Sequence, residues 1–155
     1  MSPEERAWAG GILGDSAFRL FETMPKQDQR HGLRLAKELA AKGWQHPDLL
    51  AAALLHDVGK ADSGLTVFHR SVIVLLESGR PSWLVRLGQT GQTGWRRPFW
   101  VHWRHAQIGA QRAAEAGCSE LTAWLIEHHH TPLATVDDVG WRELLSVLQR
   151  EDGAH

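Results

Sequence analysis

A chain of 155 residues with 43% hydrophobic and 23% charged residues is long enough for one domain with its own core, with a radius of gyration of roughly 15 Å. Its composition excludes a disordered or collagen-like chain. The longest apolar runs, Leu49–Leu55 and Val72–Leu76, fall far short of the ~20 residues that cross a bilayer. The opening MSPEERAWAGG carries acids and no apolar core, so no signal peptide and no membrane partner are expected. A formal net charge of −1 without a Lys/Arg block leaves no electrostatic footprint for nucleic acid. The single cysteine, Cys118, excludes an internal disulfide framework and suits a reducing, cytoplasmic location.

Apolar spacing is helical nearly throughout, and no run alternates β-branched with polar residues, so the expected class is all-α: one domain over 1–155 with about seven helices. Asp15 can cap a short helix carrying Phe18, Leu20 and Phe21 and closed by Pro25. A second helix is expected from Lys26 to Lys42, with Leu35, Ala36 and Leu39 inward and Gly43 as its stop. Pro47 suits the first turn of a helix running through Ala51–Leu55 into His56-Asp57. Thr66–Glu77 and Pro81–Leu87 read as two further helices. GQTGQTGWRRP, Gly88–Pro98, reads as a loop, and Gly88–Gly94 is expected to move more than its flanks. Phe99–Ala116 is a long helix ended by Gly117; Ser119 caps another to about His130, broken by Thr131-Pro132; and Asp137 or Asp138 caps the last, which carries Trp141, Leu144, Leu145 and Leu148.

Ten histidines and eight tryptophans, with no tyrosine, are the unusual usage. Tryptophan serves as core filler or as a stacking surface, and histidine is the commonest metal ligand. His56-Asp57 ends a strongly apolar helix, where a buried aspartate needs a cation or hydrogen-bond donors; a solvated helix-end aspartate is the plainer alternative. Asp152 extends the apolar face of Trp141, Leu145 and Leu148, or else is a frayed terminal residue. In ELTAWLIEHHH, Leu121, Trp124 (or Leu125) and His128 share a face, which points His128 inward, with His129 one step around and His130 toward the surface. His31 lies in phase with Leu35 and Leu39, and His102 and His105 share a face between which periodicity does not choose. His46, His69 and His155 have no partner at ligand spacing. Neutral imidazoles with carboxylates and no cysteine suit transition metals and exclude a Cys-rich structural zinc site.

In this order the residues resemble the HD-domain superfamily of metal-dependent phosphohydrolases, an all-α family whose motif is a single His, a His-Asp pair, two further His and a final Asp. The matches are His31 in RHGLRLAKELA, His56 and Asp57 in LLHDVGK, His105 in HAQIGA (similar to the family's H-x-x-x-G-A), His128 in IEHHH, and Asp152. The resemblance spans His31 to Asp152. The GYP signature of the cyclic-di-GMP phosphodiesterase branch is missing after HHH, where TPLATVDDVG follows, and the GQTGQTG segment matches no branch.

The resemblance implies two divalent transition-metal ions (Fe, Mn, Co, Ni or Zn). Asp57 would bridge them, His31, His56 and Asp152 would complete one, and His105 with His128 the other, with His129 as a further candidate. It implies hydrolysis of a phosphate mono- or diester, such as a nucleotide, by metal-activated hydroxide. A mixed-valent di-iron oxygenase and a non-catalytic ligand-binding HD domain are the alternatives. Lys60 is a candidate catalytic contact to the substrate phosphate or an ordinary solvated lysine; Arg96 and Arg97 are a phosphate clamp or part of a plain linker. The expected partner is a small phosphorylated molecule, and the sequence leaves oligomeric state open.

Overall fold

The computed structural model describes residues 1–60 and 97–153. Among them the chain forms six α-helices and no strand: α1 (Pro3–Glu22), α2 (Lys26–Ala41), α3 (Pro47–Leu55), α4 (Arg97–Glu115), α5 (Glu120–His128) and α6 (Val139–Asp152), with 3-10 turns at Val58–Lys60 and Leu133–Thr135. The all-α class expected from periodicity holds for these residues, and none of their helices is long and apolar enough to cross a membrane. The helices expected at Thr66–Glu77 and Pro81–Leu87, the loop Gly88–Gly94 and Arg96 lie outside the described residues, as does the side chain of Arg97.

The first helix differs most from expectation. It begins at Ser2, whose side chain accepts from the Glu5 amide while the Glu5 carboxylate accepts from the Ser2 amide, a reciprocal cap. Gly14, at φ 69° and ψ 172°, breaks the helical geometry just before Asp15, so the segment expected to start at Asp15 is the second half of a kinked helix. Arg97 and Pro98 open α4 instead of closing a loop. Ser119 and Asp138 cap α5 and α6 as expected, accepting from the amides of Thr122 and Trp141.

The core is organised around α3. All seven residues from Leu49 to Leu55 are buried, because α1, α2, α5 and α6 all pack on it. Each leucine fully buried there stabilises the fold by roughly 1.5–3 kcal/mol relative to exposure. The start of α3 is tied to the start of α5: the Thr122 hydroxyl donates to Asp48 Oδ1 at 2.9 Å, and the Ser119 hydroxyl donates to the same oxygen. Two nine-residue helices joined at their N-termini bring their C-terminal ends to one level, so His56 and His129 meet with ring centroids 5.4 Å apart. The end of α6 is anchored separately. Buried Glu151 pairs with Lys42 beyond α2 and with Arg150, which orders the last turn that carries Asp152.

Candidate metal centre

Five segments deliver side chains to one place. His31 comes from α2, His56 and Asp57 from the end of α3, His105 from α4, His129 and His130 from the residues after α5, and Asp152 from the end of α6. Their close approach depends on small residues beside the ligands. A Cβ on Gly32, next to His31, would lie 2.8 Å from the Leu54 carbonyl oxygen, so only glycine lets α2 sit against the ligand-bearing end of α3. The constraint at Gly59 is tighter: a Cβ there would stand 1.9 Å from the His105 carbonyl oxygen and 2.8 Å from the Gly109 amide nitrogen. The glycine of HDVGK and the glycine of HAQIG are thus a single backbone contact, and it holds Asp57 against His105.

The cluster has two halves. In the first, the ligand atoms of His31, His56 and Asp152 lie within 4.8 Å of one another; in the second, those of His105, His129 and His130 do. His31 Nε2 is 2.8 Å from Asp152 Oδ1 and His56 Nε2 is 3.5 Å from it. The rings of His129 and His130 have centroids 3.9 Å apart, and each lies 5.3 Å from His105. Asp57 stands between the halves: its Oδ1 is 3.7 Å from His56 Nε2, 3.9 Å from His105 Nε2 and 2.6 Å from Lys60 Nζ.

Backbone carbonyls set the protons. His56 Nδ1 donates to the Ala53 carbonyl at 3.0 Å and His129 Nδ1 to the Ile126 carbonyl at 2.6 Å, since a carbonyl can only accept. In the neutral rings each Nε2 therefore carries a bare lone pair pointed into the cluster, the orientation typical of ligating histidines. His129 Nε2 must then accept from His105 Nε2, 3.3 Å away. His56 Nε2 faces two carboxylate oxygens, lone pair against negative charge, an arrangement that a cation or a proton among them relieves. The donor set thus fits divalent transition metals in two neighbouring positions.

The field inside the cluster is strong. Burial raises the Asp57 carboxyl, but His56, Lys60 and His105 outweigh it and hold the group well below the usual carboxylate range. Burial also raises Asp152; the hydrogen bond from His31 and the nearby His56 overcome this and bring it to about 2. The same hydrogen bond raises His31. Burial, with His130 and His56 nearby, lowers His129 to about 2, so it stays a neutral donor in mild acid. Burial and then the charge of Lys60 lower His130.

Of the residues expected at the site, His31, His56, Asp57, His105 and Asp152 come together, with Lys60 on Asp57. His128 does not join them. Its Nδ1 donates to the Trp124 carbonyl at 2.9 Å and its ring stacks on Trp124, while His129, 4% exposed, takes the inward place. The buried face of α5 is Thr122, Leu125 and Ile126, whose continuation is His129; the phase drawn through Leu121 and Trp124 is off by one residue. His130, expected at the surface, is exposed yet reaches His105 and His129 at the rim. The side chain of His102 lies outside the described residues. Compared with protein-family models, curated proteins and solved structures, the chain gives no match.

Proposed function

We propose that this chain is a metal-dependent phosphohydrolase of the HD type, acting on a small phosphate mono- or diester such as a nucleotide. The observation that carries the reading is the placement of Asp57 Oδ1 between a His-His-Asp group and a His-His-His group. His31, His56 and Asp152 would hold one divalent cation, His105, His129 and His130 the other, and Asp57 both. Bound there, such cations lower the pKa of water to near neutrality and polarise phosphoryl oxygens. The carbonyls of Ala53 and Ile126 hold the lone pairs of His56 and His129 inward through their Nδ1 protons. Lys60 Nζ, 2.6 Å from Asp57 Oδ1, is a point charge available to a phosphoryl oxygen beside the cluster. Hydrolysis forms a bond from a water oxygen to phosphorus and breaks the bond to the leaving oxygen, which takes up a proton.

The test is metal analysis of protein purified without chelators, followed by phosphate release from a panel of mono- and diesters with Mn²⁺, Fe²⁺, Co²⁺ and Ni²⁺. Bound metal together with metal-dependent release that Asp57→Ala abolishes is the expected result. Protein that binds none of these metals, or activity retained in Asp57→Ala, overturns it; oxygen uptake by the iron form without phosphate release moves the chain to the di-iron oxygenase alternative.

A further inference from the structure

We propose that a second site, distinct from the histidine–aspartate cluster and independent of the reading above, binds a small methylated ammonium cation. It is a cavity of about 430 Å³ between the end of α5 and the start of α6, walled by Trp124, His128, Val136, Asp137, Asp138 and Trp141. The two indoles form a corner, with ring centroids 4.9 Å apart and planes inclined at 61°. His128 backs one face of Trp124: its ring stacks on the indole at 4.3 Å and within 16° of parallel, fixed by the bond from Nδ1 to the Trp124 carbonyl. All three rings are only half-buried, so aromatic surface faces the cavity instead of disappearing into the core.

The charge of the lining selects the ligand. Asp137 and Asp138 contribute carboxylates, and no lysine or arginine is among the described lining residues. Asp138 is held in place because its Oδ1 accepts the Trp141 amide at 2.8 Å as the cap of α6, leaving the carboxylate's charge at the cavity. Aromatic faces attract cations through their quadrupole, tryptophan most strongly. A primary ammonium is strongly hydrated, and ring carbons do not replace that water; a methylated ammonium is weakly hydrated and meets the rings with its methyl groups. An anion would face two carboxylates, and a neutral apolar ligand would leave them unused. A quaternary ammonium head of choline size satisfies both kinds of wall.

Choline and tetramethylammonium chloride, titrated into the full chain, should bind saturably by calorimetry and shift the indole N–H resonances of two tryptophans. The uncharged isostere 3,3-dimethylbutan-1-ol should bind about tenfold more weakly or not at all. Trp141→Leu should abolish choline binding, Trp141→Phe should keep it, and Asp137→Asn, at an exposed position, should weaken it severalfold. No saturable binding of either cation, equal binding of choline and its isostere, or undiminished binding in a folded Trp141→Leu protein overturns the proposal. Should Trp141→Leu fail to fold, the isostere and Asp137→Asn decide: equal affinity in either comparison overturns it. Full choline binding in Asp57→Ala separates this site from the metal centre.

Discussion

The two halves of the cluster hold the same number of ligand atoms but differ in kind. The His31–His56–Asp152 half includes a carboxylate, is clasped by a 2.8 Å hydrogen bond and joins helices far apart in sequence. The His105–His129–His130 half is all imidazole, with two of its three rings buried. The first offers a negative charge to a cation; the second offers imidazoles alone, of which desolvation lowers His129 and His130. Charge in the shared centre therefore rests on Asp57, which belongs equally to both. The difference teaches that the two positions should fill, empty and respond to protons separately, while one carboxylate couples them.

Removing that carboxylate has the largest expected effect. Asp57→Ala should lower metal content from about two ions per chain to near zero, and hydrolysis with it, as measured by inductively coupled plasma mass spectrometry and phosphate release; the helical circular dichroism should persist. Two ions retained per chain would show that the halves stand without Asp57. Prying the halves apart comes next. Gly59→Ala puts a methyl group against the backbone of His105 and Gly109, an overpacking that should cost about 1–3 kcal/mol or more in denaturant unfolding. A loss under about 0.5 kcal/mol would mean that α4 is not pinned there.

Single-ligand changes sharpen the comparison further. His31→Ala should empty the first position and His129→Ala the second, each lowering one site's affinity by about tenfold to a hundredfold or more while the other persists. His128→Ala should leave metal content unchanged, because that ring stacks on Trp124 away from the cluster. Metal lost from His128→Ala but kept in His129→Ala would reverse the assignment.

The smallest effect is the pH response of the metal-free protein, where the halves pull in opposite directions. His31 is raised from 6.5 by Asp152, so its contribution is complete below pH 6.5 and disappears as pH climbs through the raised value. Asp152, lowered from 3.8 to about 2, contributes fully above pH 3.8 and loses that as pH falls toward 2. The clasp is therefore strongest from pH 3.8 to 6.5. His129, lowered from 6.5 to about 2, acts the other way: below pH 6.5 the unfolded chain binds the proton and the folded chain does not, so stability declines with acidification. Thermal midpoints of chelated protein from pH 4 to 8 should show a smaller alkaline decline in Asp152→Asn and a smaller acid decline in His129→Asn. Profiles parallel to the unsubstituted protein would deny both effects.

Much of this was legible in the sequence wherever a ligand sits in phase with an unambiguous apolar face. His31 follows Leu35 and Leu39, both fully buried, and Asp152 follows Leu145 and Leu148, both essentially buried. His56-Asp57 ends a helix so apolar that every residue from Leu49 to Leu55 had to be inside. The first half of α1 was missed, although Ser2 and Glu5 carry the spacing of a reciprocal cap; Gly10 and Gly11 blur the apolar pattern behind it. What the sequence could not decide was the inward member of HHH. Leu121 and Trp124 offer an apolar phase as good as Thr122, Leu125 and Ile126, and a helix turns about 100° per residue, so an error of one position exchanges His128 for His129. The choice falls to what α5 packs on: the tie from Asp48 to Ser119 and Thr122 sets its rotation against α3. The pairing of Gly59 with Gly109 is likewise a fact of tertiary structure. Each glycine reads alone as a local break, and only the contact between two backbones distant in sequence makes a larger side chain impossible there and brings Asp57 to His105.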